Sequence, residues 1–310
     1  MDFVGRKQWF FLISEILIVI GIISLAVFGL KPGTDFAGGT SVTFQFSAVD
    51  GGEVSWSDFQ SQLRDEMAQL GYGEATIQNA GQGSFIIHTQ EITSDEANDL
   101  AEKLGAELDS QVEITDYYSA SPTVGAETAR NAGVAVIIAA IAMLFYIVWA
   151  FRRMPSPFRW GTCAIIALIH DVFIIVGIFS ILGWLAGVEI DALFITGLLA
   201  VVGYSINNTV VIFDRIRENV SRHISADFAV TVNSSIVETL GRSLNTSLTT
   251  LFVILALFLF GGATIHYFVL VLLLGAIIGT YSSICISSQL LVVWEKREWS
   301  ALLPWAKTRA

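Results

Sequence analysis

Few residues in this chain have the chemistry to carry a proton or meet an ion inside a membrane, so each can be weighed singly. The stretch "ALIHDVFIIVG" places His170 and Asp171 in the middle of an apolar run. An ionisable group at the centre of a spanning helix costs roughly 2.5–3.5 kcal/mol on insertion scales. Asp171 is therefore either an ion-relay or gating carboxylate, or a protonated acid bonded to a neighbouring helix or to water in a small pocket. His170 is either a packing histidine or a titrating partner to it.

The stretch "GYSINNTVVIFDRIREN" (203–219) carries adjacent carboxamides, Asn207 and Asn208, about 9 Å inside the end of another apolar run at 1.5 Å per residue. A carboxamide donates and accepts hydrogen bonds but does not titrate. Gly197, Val201, Tyr204 and Asn208 share one helical face at steps of three and four. Small and polar members on such a stripe predict a helix–helix seam. In "RSLNTSLTTLF" (242–252), Arg242, Thr246 and Thr249 share a face, with Asn245 beside them. That face either meets the polar face of 203–219, or Arg242 snorkels to the interface without function. Glu15 reads as a structural group near the interface. Asp214, Arg215, Arg217 and Glu218 read as a solvated collar, and the pairs Gly183/Gly187 and Gly275/Gly279 as close helix contacts.

No catalytic set emerges. An intramembrane aspartyl protease needs two facing aspartates, and Asp171 alone lies deep in a span. No serine–histidine arrangement and no phosphate-binding loop is recognisable, so the chain is expected to be no enzyme. Cys163 and Cys285 sit in apolar runs without ligand or disulfide spacing. Neither a cofactor nor a metal is implied, and no basic patch with interleaved aromatics points to nucleic acid.

The elements that position these residues follow from composition. The chain is 54% hydrophobic and 15% charged, against about a quarter charged in soluble domains. Six segments reach the ~20 apolar residues of a spanning helix: 9–30, 129–151, 160–184, 190–213, 243–261 and 265–294. Residues 31–128 carry 17 acids against 3 bases, a net of −14 within a chain of −11, so the remainder is +3. One acidic domain thus sits between the first and second spans of a mildly basic membrane protein. Arginines and lysines collect in 1–8, between spans two and three, in the 214–242 connection and in the 295–310 tail. That distribution predicts both termini in the cytoplasm and the acidic domain outside. The domain reads β-α-β-β-α-β, the order of a ferredoxin-like sandwich. Its helices are expected to start at capping boxes, Ser55 with Asp58 and Thr93 with Glu96, and its middle strands to turn at a Gly-Gln-Gly. The fold class expected is an α-helical membrane bundle of six helices with one extracytoplasmic α+β domain.

Five motifs then occur in order: "GTDFAGGT" (33–40), "HDV" at 170–172, "GYSINNTVVIFDRIREN", "ETLGRSLNTSLTTL" (238–251) and "GTYSS" (279–283). Together they resemble the SecD/SecF family of protein-export membrane proteins, on its SecF side, over nearly the whole chain. The resemblance implies an RND-superfamily half in the bacterial cytoplasmic (inner) membrane that pairs with SecD into a twelve-span unit. It implies action beside the SecYEG translocon, where the proton-motive force draws a translocating preprotein outward, with protons as the coupling ion.

In the family, the position of Asn208 usually holds an aspartate, the candidate proton carrier, with Arg242 as its partner. The resemblance therefore leads us to expect Asn208 to face Arg242. It also leaves three explanations for the amide: an engineered mimic of the protonated state, a natural form whose coupling acid lies in SecD or at Asp171, or a scaffolding role. The "GTDFAGG" motif, with Asp35, Gly38 and Gly39, is either a hinge or a tight turn. The alternatives to an export subunit are an RND-type proton-driven exporter of small molecules or lipids, and a purely structural assembly factor.

Overall fold

Apolar runs too long for a soluble core set the architecture. In a computed structural model describing residues 1–48, 56–81, 83–299 and 302, the chain runs α1 (Lys7–Val27), α2 (Thr34–Ala37), β1 (Gly39–Ala48), α3 (Trp56–Gln69), β2 (Thr76–Gly81), β3 (Ser84–Thr89), α4 (Ser94–Glu107) and β4 (Ser110–Ala120). Then come α5 (Pro122–Ala150), α6 (Pro157–Ala186), α7 (Ala192–Ser221), α8 (Phe228–Phe260), a 3₁₀ turn (Ala263–Ile265), α9 (His266–Ser282), a π-helical turn (Ser283–Ser287) and α10 (Ser288–Lys296). Among the described residues, six helices are long and apolar enough to cross a membrane: α1, α5, α6, α7, α8 and the composite Ala263–Lys296.

The strands form one antiparallel sheet in the order β2-β3-β1-β4, the ferredoxin-like arrangement. Alternation dictates the buried face: Val42, Phe44 and Phe46 of β1 point inward and meet Phe59, Leu63, Leu100 and Leu104 from α3 and α4. Thr93 and Glu96 form the expected capping box, with Thr93 Oγ1 accepting from the Glu96 amide and Glu96 Oε2 accepting from the Thr93 amide at 2.7 Å. The matching box expected at Ser55, and Gln82 of the hairpin, lie outside the described residues.

The domain is fastened to the membrane layer at one corner. Gly33 N donates to Ile190 O and Ile190 N to Lys31 O, each at 2.8 Å, so the exit of α1 pairs with the α6–α7 connection. Asp35 Oδ2 accepts from the amide of Ala192 at 2.9 Å, and Asp191 caps the same helix end through the Phe194 amide. Carboxylates at the first turn of α7 satisfy orphan amides and oppose the positive end of its dipole. Gly38 and Gly39 then turn the chain with φ of +79° and +116°. There is no room at either: a Cβ would lie 2.6 Å from Pro122 N at Gly38 and 2.5 Å from Thr89 O at Gly39. Backbone touches backbone at this corner.

His88 of β3 lies at the same junction, its Nδ1 3.7 Å from Glu189 Oε2, with Lys31 on the other side of that carboxylate at 3.8 Å. Burial holds the imidazole below its ordinary value of 6.5. Glu189, Asp191 and Asp35 pull the other way, and Lys31 adds to the depression.

Hydropathy did not mark where α7 ends and α8 begins. The segment 214–242, expected as a connection, is helical almost throughout, because α7 runs to Ser221 and α8 begins at Phe228 under an Asp227 cap. The charged collar is part of this. Arg215 donates to Glu238 and Glu218 at 2.5 Å, and Asn219 Nδ2 to Ser235 Oγ at 3.0 Å and Glu238 Oε2 at 2.9 Å, tying α7 to α8.

Two outcomes follow for the corner. Gly39→Val puts a branched side chain against the Thr89 carbonyl at a positive φ, a cost of about 1–3 kcal/mol for the backbone alone. It is expected to lower the melting temperature of the purified protein and open 39–48 to protease, and unchanged values would refute the packing described. For His88, the unfolded state binds more protons between the depressed folded value and the ordinary one. Stability contributed by the neutral ring is thus present above the ordinary value and lost as pH falls below it. Protection factors of the β3 amides, exchange rates divided by their intrinsic values at each pH, should fall on acidification below the ordinary histidine range, and His88→Gln should remove that dependence.

Candidate functional site in the membrane layer

The deepest acid is also the most completely enclosed. Asp171 of α6 has no exposed surface, and three side chains from its surroundings meet it. Ser205 of α7 donates to Oδ2 at 2.6 Å, Ser282 at the end of α9 donates to the same oxygen at 2.7 Å, and His170 Nδ1 lies 2.9 Å from Oδ1. Three spans therefore close on one carboxyl group. The two serine bonds also join helices.

Glycines make that closure possible. A Cβ at Gly275 would fall 2.0 Å from Val201 Cγ2, and one at Gly279 would fall 3.0 Å from Ser205 Cβ. α7 and α9 thus touch through backbone, which brings Ser205 to the carboxylate. Below this contact α9 changes pitch. Ser283 O accepts from the hydroxyls of Ser287 at 2.9 Å and Ser288 at 2.6 Å, while Ser283 Oγ donates to Gly279 O at 2.6 Å. Serine hydroxyls compete with backbone donors for these carbonyls, and a π turn inside a helix is a frequent mark of a functional position.

A second polar tier continues from the first. Thr209 and Ser283 hydroxyls meet at 3.0 Å, Ser247 of α8 and Thr280 of α9 at 2.7 Å, and Asn208 Nδ2 reaches Thr280 Oγ1 at 3.5 Å. Asn208 is buried on the α7 face predicted as a seam, together with Gly197 and Val201, whereas Asn207 is exposed.

The expected pairing of Asn208 with Arg242 is not among the contacts of the described residues. Arg242, Thr246 and Thr249 lie on the exposed face of α8, and Ser243 and Ser247 point inward instead. One residue along a helix is a turn of about 100°, so a face assigned one position off points away from its neighbour. Thr249 bonds back to Thr246 O at 2.9 Å. Asp35, Gly38 and Gly39 lie at the corner already described, at the N-terminal end of α7. Sequence spacing missed Ser205, Ser282, Thr280 and Ser283, although "GYS" and "GTYSS" contain them. Serine is common at helix contacts, and nothing local says which carboxylate it will meet.

Ser205→Ala and Ser282→Ala each remove a donor to the buried Asp171, with an expected loss of about 1–3 kcal/mol for an acceptor left unsatisfied. In thermal unfolding in detergent the serine changes should be strongly destabilising in the wild-type background and nearly silent beside Asp171→Leu. Equal effects in both backgrounds would dissociate the serines from the carboxylate.

Comparison with known proteins adds the following. The family described as "Protein export membrane protein SecD/SecF, C-terminal" matches residues 100–297, and "SecD/SecF GG Motif" matches residues 23–48. The chain is 44% identical to a protein translocase subunit SecF of Thermobaculum terrenum, over 96% of this chain and 95% of that one. It is 39% identical to the corresponding subunit of Anaerolinea thermophila, over 96% of each. The crystal structure of SecDF, a translocon-associated membrane protein from Thermus thermophilus, superposes with a TM-score of 0.82 at 32% identity, covering 96% of this chain. This chain spans 39% of the length of that SecDF chain.

Proposed function

This chain belongs to the SecD/SecF family of protein-export membrane proteins, and from that premise we propose that it is the SecF-type subunit of a proton-driven export machine. It pairs with SecD, a reading supported by the SecDF chain, of which this chain matches 39%. Beside the SecYEG translocon the pair uses the proton-motive force to draw preproteins outward across the bacterial cytoplasmic membrane. Arg6 and Lys7, Arg152, Arg153 and Arg159, and Lys296 and Arg297 support an orientation with both termini cytoplasmic and the sheet domain outside. The work is mechanical rather than enzymatic.

The observation that carries proton coupling is the enclosure of Asp171 by Ser205 and Ser282 from two other spans. Ionised, this carboxylate only accepts; protonated, it donates and gives up part of its accepting capacity. A change of protonation therefore rewrites the bonds that hold α7 and α9 to α6. The outer end of α7 is capped by Asp35, so a shift of α7 reaches the corner of the outer domain. Asn208 supplies the size and bonding reach of a protonated acid without titrating, which supports a natural form whose coupling acid is elsewhere. Arg242, Thr246 and Thr249, on the exposed face of α8, are placed to meet spans of the SecD partner.

The test is secretory-protein export in a SecF-depleted bacterium supplied with this chain and its SecD. Asp171→Asn is expected to lower proton-driven export roughly tenfold or more, the scale on which a proton-transfer group matters, with normal amounts of protein in the membrane. Asn208→Asp should leave export unchanged. A chain inactive as written and rescued by Asn208→Asp would overturn this assignment and place the proton at position 208.

A further inference from the structure

Among the described residues, six buried side-chain polar atoms find no partner, and two of them line one groove. Glu15 Oε2 of α1 and His170 Nε2 of α6 both border a cavity of about 510 Å³ between α1, α6 and α10, walled by Phe11, Ile18, Ile169 and Phe173. Buried polar atoms are almost always bonded, and each exception asks for an explanation. His170 is only 5% exposed, and its other nitrogen already meets Asp171 at 2.9 Å. Its ring stacks on Tyr281 with centroids 6.4 Å apart, and the Tyr281 hydroxyl lies 3.3 Å from the Ser14 hydroxyl, next to Glu15 in sequence. A polar line thus leads from the enclosed carboxylate through the imidazole to an acid two turns inside the first span. Glu15 is about 12 Å from the start of α1 at Lys7, so it is also the acid of this line nearest the cytoplasmic side.

We infer that Glu15 and His170 form the path by which a proton leaves Asp171 for the cytoplasm, with water in the groove between them. This rests on Asp171 being the coupling acid. Protonated Asp171 gives its proton to Nδ1 of the neutral ring, Nε2–H passes one to a groove water, and that water protonates the Glu15 carboxylate, which releases it to the cytoplasmic side. The new Nδ1–H tautomer is reset when the ring turns, Nδ1–H gives its proton to a groove water and another water returns one to Nε2, with no net proton moved. One proton moves, one O–H bond breaks and one forms, and no electron changes hands. The open Nε2 is the atom the relay needs; apolar side chains wall most of the groove, and Nε2 and Glu15 Oε2 are the polar partners that a bridging water would take there. A groove filled by a lipid acyl chain would leave both atoms without a partner.

Inverted vesicles carrying this chain with SecD, and an imposed proton gradient, test the path. Glu15→Gln and His170→Gln, each close in shape to the original, are expected to slow gradient-driven proton flux roughly tenfold, with Glu15→Asp restoring it. That split between amide and shorter acid follows titration and not packing. Cysteines at Ile18 and Ile169 should react with a membrane-impermeant thiol reagent added from the cytoplasmic face, and one at Ile137 on the lipid face of α5 should not. Wild-type flux in both glutamine variants, with flux lost in Asp171→Asn, overturns the relay and leaves Asp171 as the coupling acid. Wild-type flux in Asp171→Asn overturns the reading beneath it. Groove cysteines as unreactive as the one at Ile137 mean a groove occupied by lipid, and that also overturns the relay.

Discussion

A carboxyl group out of reach of water cannot be left alone, and the bundle is organised around that constraint. Asp171 has no exposed surface, so its oxygens must be met by the protein or carry a proton. The chain meets Oδ2 with hydroxyls from two other spans and Oδ1 with the His170 ring. Those hydroxyls arrive only because α9 offers glycines where α7 presses against it, and because the turn after Ser282 widens to accommodate a run of buried serines. Close packing, the change of helix pitch and the polar tier around Asn208 are thus consequences of one enclosed acid. Replacing any of them with bulkier or straighter helix would separate the hydroxyls from the carboxylate, and desolvation would then have no compensation.

The position next to it shows the complementary solution. Asn208 reaches Thr280, which is held by Ala276 O and Ser247, so the tier below the acid is satisfied by neutral groups throughout. Neutral groups of this kind stabilise helix contacts without a dependence on protonation. With an ionisable centre beside a non-ionisable one, a proton gained or lost at Asp171 would change bonding in one tier while the other kept the helices in register.

The architecture was legible in the residues because it rests on long-range averages. Six spans follow from apolar runs, and the sandwich follows from alternation in "TSVTFQFSA" and from Thr93 with Glu96 three residues on. Asp171 stood out because a lone acid in an apolar run is costly wherever its helix points. Its partners did not, since which serine meets it depends on the rotation of three helices relative to one another, and periodicity within one helix is silent on that. Arg242 shows the same limit: the face was chosen one residue off, and Ser243 and Ser247 occupy the interior. The segment 214–242 failed for another reason. Hydropathy reports where a membrane ends, whereas Arg215, Asn219 and Glu238 keep the helices going beyond it through bonds of their own.

The two ends of α7 remain. Asp35 grips one through the Ala192 amide, and the Arg215, Asn219 and Glu238 cluster grips the other against α8. A rod clamped at both ends behaves as a torsion shaft. A disturbance at Ser205, part-way along it, has little freedom to dissipate as fraying or bending and emerges as twist at the clamps. At the N-terminal end of α7 such a twist would meet a corner where Gly38 and Gly39 lie backbone to backbone with Pro122 and Thr89, which leaves no slack to absorb it. Stiffness at the joint, rather than looseness, is what would carry a bond change at Asp171 into the sheet domain.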